Sequence, residues 1–325
     1  MSIITFHCTS ISPLFIGNAI KNEAELRAPA IKASLRFWWR AIHPNLTIEE
    51  LKKKECEFFG GTFYKGNKQI NYPPSFKFLS IKYDSSRIKA EYVDERGRTV
   101  NGKLIYKNEY NYLTNPENND KPFGKYLRMS NSIIGKNEFP IQIQILKNKE
   151  WVIAIFQLAS ILGGLGLRAR RGNGAWKIEK IINGHQEIIL NYNKNCLFTP
   201  IKILNDSIIS KENNNKITIT NSEKIYNQIP FLKTVELGEG YDSLEELRRR
   251  IMHTAHLLNN RNNGQYLGFA NRDNRLASPI YVSIIKEDEM LRPIISTLWC
   301  KETPLEGINL QNKFKTAILN NIDPR

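Results

Sequence analysis

The chain has 325 residues, 41% of them hydrophobic, and its 47 Lys and Arg outnumber 32 Asp and Glu to give a formal net charge of +15. This length predicts two domains, because a single domain usually has about 100–200 residues. The positive charge predicts a long polyanion as partner; charge kept only for solubility is the alternative.

The four cysteines lie far apart without a C-x-x-C pair, which argues against a zinc ribbon and against a secreted disulfide scaffold. The N-terminus lacks the basic region and apolar core of a signal peptide. The longest apolar run, 151–162, is too short to cross a bilayer. We therefore expect a soluble cytoplasmic protein with no metal or other cofactor and no membrane partner.

The first half of the chain has the element order β-α-β-β-α-β. Pro29 can occupy the first turn of a helix, and alternating isoleucines after Phe139 indicate a half-buried strand. The predicted elements are a strand at 3–8, a helix at 30–43, strands at 75–83 and 139–146, a helix at 151–162 and a strand at 175–182. Residues 85–131 show little periodicity and are predicted to be a long insertion.

The second half is predicted to repeat this order after an Asn-rich stretch at 191–195. Its predicted elements are a strand at 216–220, a helix at 244–259 that begins with a capping box, a strand at 279–285 and a helix at 310–319. The fold class is therefore α+β, with two ferredoxin-like (RRM-like) βαββαβ domains in tandem. We assign residues 1–190, including the insertion, to the first domain and residues 191–325 to the second.

A glycine- and arginine-rich loop at 163–174 follows the second predicted helix. Glycines let a backbone approach phosphates closely, and arginines donate forked, charge-assisted hydrogen bonds, so we expect exposed loop arginines that bind RNA. A dinucleotide fingerprint is disfavoured, because the loop follows a helix and precedes a strand, and a solvated turn is the other alternative. The candidate RNA-binding residues here are Gly164, Gly166, Arg168, Arg170, Arg171 and Lys177.

The helix at 30–43 carries two neighbouring stripes at 3.6-residue spacing. The apolar stripe, predicted to face the core, comprises Ile31, Leu35, Trp38 and Ile42. The second stripe comprises Lys32, Arg36, Trp39 and His43. Cations beside an indole suit a polynucleotide, because the ring can stack on a base while the cations meet phosphates. Arg27 and Arg40 complete the candidate RNA-binding set, and the alternative is that Trp39 only packs against a neighbouring element.

Residues 13–17, 27–32 and 35–40 together resemble the N-terminal signature of the first-subunit family of the type III-B CRISPR (Cmr) effector complex. The glycine-rich loop is similar to the one that defines the repeat-associated mysterious protein (RAMP) superfamily, and 277–279 resembles the family's second domain. Asn18 and Ala33 depart from the pattern, since glycine is usual at both places.

The resemblance implies two ferredoxin-like domains and a place at one end of a complex with other Cmr subunits. It also implies contact with guide RNA or target RNA near the 3′ part of the guide, in antiviral defence, with cleavage left to other subunits. The alternative is a metal-independent RNase that processes guide RNA precursors, with His43 as the best candidate for its general base. We expect a non-catalytic, RNA-binding subunit.

Overall fold

The computed structural model describes residues 2–16, 25–83, 138–190, 192, 194–213, 215–221, 225–226, 229–258, 263–270, 275–300 and 302–323. The predicted insertion at 85–131 lies outside these residues. The strands are β1 (Ser2–Ser10), β2 (Gly61–Lys65), β3 (Lys68–Tyr72), β4 (Phe76–Ile81), β5 (Glu138–Ile145), β6 (Trp176–Asn183), β7 (Gln186–Ile189), β8 (Ile208–Asn213), β9 (Lys216–Asn221), β10 (Phe231–Leu237), β11 (Phe269–Ala270), β12 (Arg275–Leu276), β13 (Ile280–Glu287) and β14 (Met290–Trp299).

The helices are also numbered in chain order. They are α1 (Ala28–Ala41), α2 (Ile48–Phe59), α3 (Lys149–Leu162), α4 (Phe198–Leu204), α5 (Leu244–Leu258), α6 (Gly264–Leu267) and α7 (Leu305–Leu319), with a 3₁₀ helix at Lys194–Leu197. No helix in the described part of the chain combines the length and the apolar character that crossing a membrane requires.

The first sheet has the strand order β4-β5-β1-β6-β7, and each neighbouring pair is antiparallel. Side chains alternate across it, so Phe6 of β1 points to the core while His7 points to the opposite face. The core side is covered by α3, whose Phe156 ring stacks on Phe6 with ring centroids 4.3 Å apart. The other face of this sheet carries the half-buried and exposed polar residues.

The second sheet has the order β13-β14-β10-β9-β8, again with antiparallel neighbours. Three strands of this sheet precede α5 in the chain, and the other two, β13 and β14, lie between α6 and α7. This order differs from the expected β-α-β-β-α-β, because two strands, β8 and β9, come before β10 and because α7 follows β14. The antiparallel α+β class is confirmed.

Helix α3 lies between the two sheets. It is buried around most of its circumference, as expected for a helix with an apolar sequence on all sides. It contacts β6 on one side and β13 and β14 on the other. Tyr281 and Ile285 of β13 join the core shared with the first half, whereas Val282 and Ile284 join a second core formed with α5 and α7. The layers are therefore sheet, helix, sheet, helix.

Candidate nucleic-acid interface

Helix α1 presents a row of cations to solvent. Pro29 stands in its first turn, and no acidic residue occupies that turn. Arg36 and Arg40, one turn apart, both reach Glu55 of α2, with nitrogen–oxygen distances of 3.2 and 3.6 Å. Two guanidinium groups thus share one carboxylate, and this pair of helices keeps a net positive charge at that point.

Lys32 lies one turn before Arg36 and is half-buried. Burial, and then the charge of Arg36, lower the pKa of the Lys32 ammonium. No carboxylate in the described part of the chain forms an ion pair with it. Arg27, at the start of the helix, is largely exposed and lies 3.7 Å from Glu25. The cations of α1 therefore outnumber the anions that meet them, which favours a polyanion at this surface.

The predicted stacking face of Trp39 is not exposed. Trp38 is buried as expected, but Trp39 is also only 1% exposed and packs against Phe59 and His43. The stripe prediction was wrong here because the end of α2 covers this side of α1, so two adjacent positions are buried. Trp39 in this position cannot stack on a base, and it serves the core.

His43 is likewise a core residue, only 5% exposed. Its ring nitrogens lie 2.6 Å from the Trp39 carbonyl and 3.1 Å from the Leu204 carbonyl of α4. Burial lowers the pKa of His43 from 6.5 to about 4, against the opposing effect of these carbonyls. A neutral, enclosed ring whose nitrogens face backbone carbonyls is not placed to take a proton from bound RNA.

Acidification from pH 6.5 to pH 4 should destabilise the fold through His43. In this window the unfolded chain binds a proton at His43 that the folded chain does not, so stability is present above pH 6.5 and falls as the pH drops. The shift corresponds to roughly 3 kcal/mol at most. Chemical denaturation across this range measures it. His43→Gln should show a shallower fall, and equal slopes in both proteins would contradict the assignment.

The glycine-rich loop is held tightly between the two halves of the chain. Gly166 has φ 89°, and a Cβ there would lie 2.4 Å from the Phe15 carbonyl oxygen. A Cβ at Gly164 would lie 2.6 Å from the Asn173 carbonyl oxygen. These glycines are needed where backbone packs on backbone, rather than only where a ligand approaches. The loop then runs along β13, where Gly172 N–H donates to the Val282 carbonyl at 2.9 Å.

Two of the three loop arginines, Arg170 and Arg171, are half-buried, contrary to the prediction that they are exposed. The Arg171 guanidinium donates to the Leu267 and Ile280 carbonyls at 2.9 and 3.2 Å. Arg170 donates to the Ser278 carbonyl, and its guanidinium lies over the ring of Phe37, 5.2 Å from the centroid. The prediction failed because it treated the loop as solvated, whereas the edge of the second sheet lies against it.

Arg168 is the loop arginine that faces solvent. Burial is the main cause that lowers the pKa of Arg171 to about 10, and the positive charges of Arg170 and Arg168 lower it further. Within the described residues, none of the three forms an ion pair with a carboxylate. A cluster of positive charge without a counter-charge favours an anion beside Arg168 and Arg170.

Lys177 lies apart from the other candidates. Its neighbours Trp176 and Ile178 in β6 face the core, so Lys177 points to the opposite face of the first sheet. Its ammonium is 2.8 Å from Glu179.

Glu55 was not predicted as part of the site, although its carboxylate forms ion pairs with two arginines of α1. The acidic residues within the Lys-rich run of α2 were the available signal.

Comparisons with known proteins give a consistent result. A model of the RAMP superfamily matches residues 7–177, more than half of the chain. The CRISPR system Cmr subunit Cmr1-2 of Pyrococcus furiosus is 25% identical over 195 residues, which cover 54% of this chain and 95% of that protein.

Solved structures resemble the fold along nearly its whole length. The crystal structure of apo Cmr1 from Pyrococcus furiosus aligns with a TM-score of 0.55 at 17% identity, covering 94% of this chain and 90% of that one. A chain of the cryo-EM structure of type III-B Cmr-beta, bound to cognate target RNA and AMPPnP in the presence of single-stranded DNA, aligns with a TM-score of 0.59 at 12% identity, covering 98% and 99%.

Proposed function

We propose that this chain, which belongs to the RAMP superfamily, is a non-catalytic RNA-binding subunit of a type III-B CRISPR (Cmr) effector complex in antiviral defence. The Cmr1-2 relative and the Cmr-beta complex bound to target RNA support this assignment. Its partners would be guide RNA, target RNA near the 3′ part of the guide, and other Cmr subunits. The observation that carries the proposal is the cationic surface of α1 and the loop.

The proposed architecture is two ferredoxin-like domains, divided near residue 190. In the first sheet β1, α1 and β4 form a split βαβ unit with β5 between the strands, and β6 adds the fourth strand beside β1. In the second sheet β10, α5 and β13 form the same unit around β14, and β9 occupies the fourth place. The second domain would thus be a variant whose fourth strand comes first in the chain.

The RNA surface is proposed to comprise Lys32 and Arg40 of α1 together with Arg168 and Arg170 of the loop. These groups have no carboxylate partner in the described structure or share one. Released counterions would then make binding strongly salt-dependent and indifferent to sequence. Arg36 would mainly hold this surface in place, because it also donates to the Gly60 carbonyl at 3.2 Å.

The combined variant Lys32→Ala, Arg40→Ala and Arg168→Ala should weaken binding to single-stranded RNA. Removal of three phosphate contacts should make the log–log salt slope shallower by about 2, because each contact contributes roughly −0.7. Fluorescence anisotropy titrations at several salt concentrations measure the slope, and thermal melts check the fold.

Lys177→Ala is the control, since it removes one positive charge from the opposite face of the first sheet, and it should make the salt slope shallower by no more than about 0.7. The proposal is wrong if wild-type protein binds RNA with no salt dependence, or if the triple variant and the control bind equally.

Incubation of labelled repeat RNA with the protein in EDTA, followed by a denaturing gel, tests the non-catalytic assignment. Defined cleavage products would favour the guide-processing RNase instead.

A further inference from the structure

Residues 60–83 contain four lysines and no acidic residue. Part of this segment is the two-stranded ribbon formed by β2 and β3, which lies outside both five-stranded sheets. The chain reverses through Gly66 and Asn67, where Gly66 has φ 58°, a conformation that glycine adopts without strain. The ribbon is therefore a short, basic hairpin with a tight turn.

The two faces of the ribbon differ. Phe63 is 7% exposed and faces inward, while Tyr64, the next residue, is 63% exposed. β2 and β3 both pack against α2, which the inward face covers. On the outward face Thr62 Oγ1 donates to Asn71 at 2.9 Å, and Gln69 donates to the same oxygen at 3.3 Å. An exposed aromatic ring thus stands on a face stiffened by polar side chains.

Lysines lie at the tip of the ribbon. Lys65 and Lys68 are directly opposite each other across the strands and both are exposed. Like charges in this arrangement repel, and no carboxylate among the described residues forms an ion pair with either ammonium. An anion between or beside them would remove this cost, so the charge at the tip is complementary to a phosphate backbone.

The base of the ribbon is anchored beside the cations of α1. Arg36 donates to the Gly60 carbonyl at 3.2 Å and its guanidinium lies over the Phe59 ring, 5.5 Å from the centroid. A Cβ at Gly60 would lie 2.9 Å from Cβ of Pro74, so both ends of the ribbon are packed together. The ribbon is therefore continuous with the proposed RNA surface and fixed relative to it.

We propose that the β2–β3 ribbon is a second RNA contact, in which Tyr64 stacks on a base of single-stranded RNA while Lys65 and Lys68 bind the adjacent phosphates. Lys65 and Lys68 alternate with Tyr64 and so leave the ribbon on the other side, at its exposed tip, where a strand stacked on Tyr64 can pass round the turn. An exposed ring beside exposed cations is an arrangement by which proteins hold single strands without reading their sequence. This inference rests on the proposed function, since it extends the same surface beyond α1.

The test is anisotropy with a labelled oligouridine of about 20 nucleotides, longer than the roughly 4–16 nucleotides that one small module covers. Tyr64→Ala should weaken binding by roughly 5- to 150-fold, the range for loss of one base stack, while Tyr64→Phe should keep most of the affinity. Lys65→Ala with Lys68→Ala should make the salt slope shallower by about 1.4. Lys77→Ala with Lys82→Ala, which removes equal charge from the same segment outside the ribbon, should change the slope less.

The outcomes separate the two proposals. If wild-type protein binds and Tyr64→Ala binds equally well with an unchanged melting temperature, the ribbon does not contact RNA but the proposed function stands. If wild-type protein shows no salt-dependent binding, both fail. If Tyr64→Ala binds RNA normally yet loses association with other Cmr subunits, the ribbon is a protein contact and the RNA assignment is wrong.

Discussion

Trp39→Ala should destabilise the protein by roughly 3–5 kcal/mol, about as much as Trp38→Ala, since both indoles are almost completely buried. Removal of either ring leaves a cavity among aromatic neighbours, which for Trp39 are Phe59 and His43. The neighbourhood includes α2, α4 and the end of α1, so it cannot collapse without moving several elements. Urea denaturation of both single variants measures the two losses.

Tyr64→Ala is the matched control for Trp39→Ala, because it deletes an aromatic ring of similar kind from an exposed position. Its stability should stay within about 0.5 kcal/mol of the wild type. RNA affinity measured on the folded fraction should be nearly normal in Trp39→Ala. A stable Trp39→Ala protein with a specific binding defect would show that the ring is accessible and that its buried position is incorrect.

Arg171→Ala should cost roughly 2–4 kcal/mol of stability, because it leaves the Leu267 and Ile280 carbonyls without a charged donor in the contact between the two halves, and each unsatisfied group costs about 1–3 kcal/mol. It also removes the guanidinium from the ring of Phe314, whose centroid is 5.2 Å away. Arg171→Lys should recover little of this, since one ammonium cannot reproduce the planar fork. Thermal and chemical denaturation of both variants give the values.

Arg168→Ala is the control for Arg171, since it removes the same charge from an exposed position in the same loop. It should leave stability almost unchanged and should weaken RNA binding. If Arg171→Ala melts like the wild type, the arginine does not hold the loop to the second half. We therefore expect Arg168 to contact RNA, Arg171 to hold the loop in place, and Arg170 to take part in both.

The sequence predicted most elements of the first half because their signals are local. The alternation in β5 and the uninterrupted apolar run of α3 depend only on nearby residues, and both elements end within two residues of the predicted bounds. Helix α2 and the β2–β3 ribbon were not predicted, although Thr47 forms a capping box with Glu50. In the second half, β10 and β14 each have buried residues at consecutive positions. Their sequences therefore lack the alternation of apolar and polar residues that predicts a half-buried strand.

Site residues were harder to predict, since exposure depends on what packs from elsewhere in the chain. Nothing near Trp39 in the sequence indicates that Phe59 will cover it. Nothing in the 163–174 loop indicates that Leu267 and Ile280 will accept hydrogen bonds from Arg171. Arg40 and Arg168 are exposed as expected, although Arg40 reaches Glu55 of α2, and Lys32 is half-buried.

The position of α3 between two sheets has a mechanical consequence. Most of the circumference of α3 is apolar and buried, so separating the two sheets would expose its side chains to water, which the hydrophobic effect opposes. We therefore expect the two sheets to resist hinge motion about α3. The loop at 163–174, which is hydrogen-bonded to β13, should then keep a fixed position relative to the second sheet, and RNA bound as proposed would have to adapt to it.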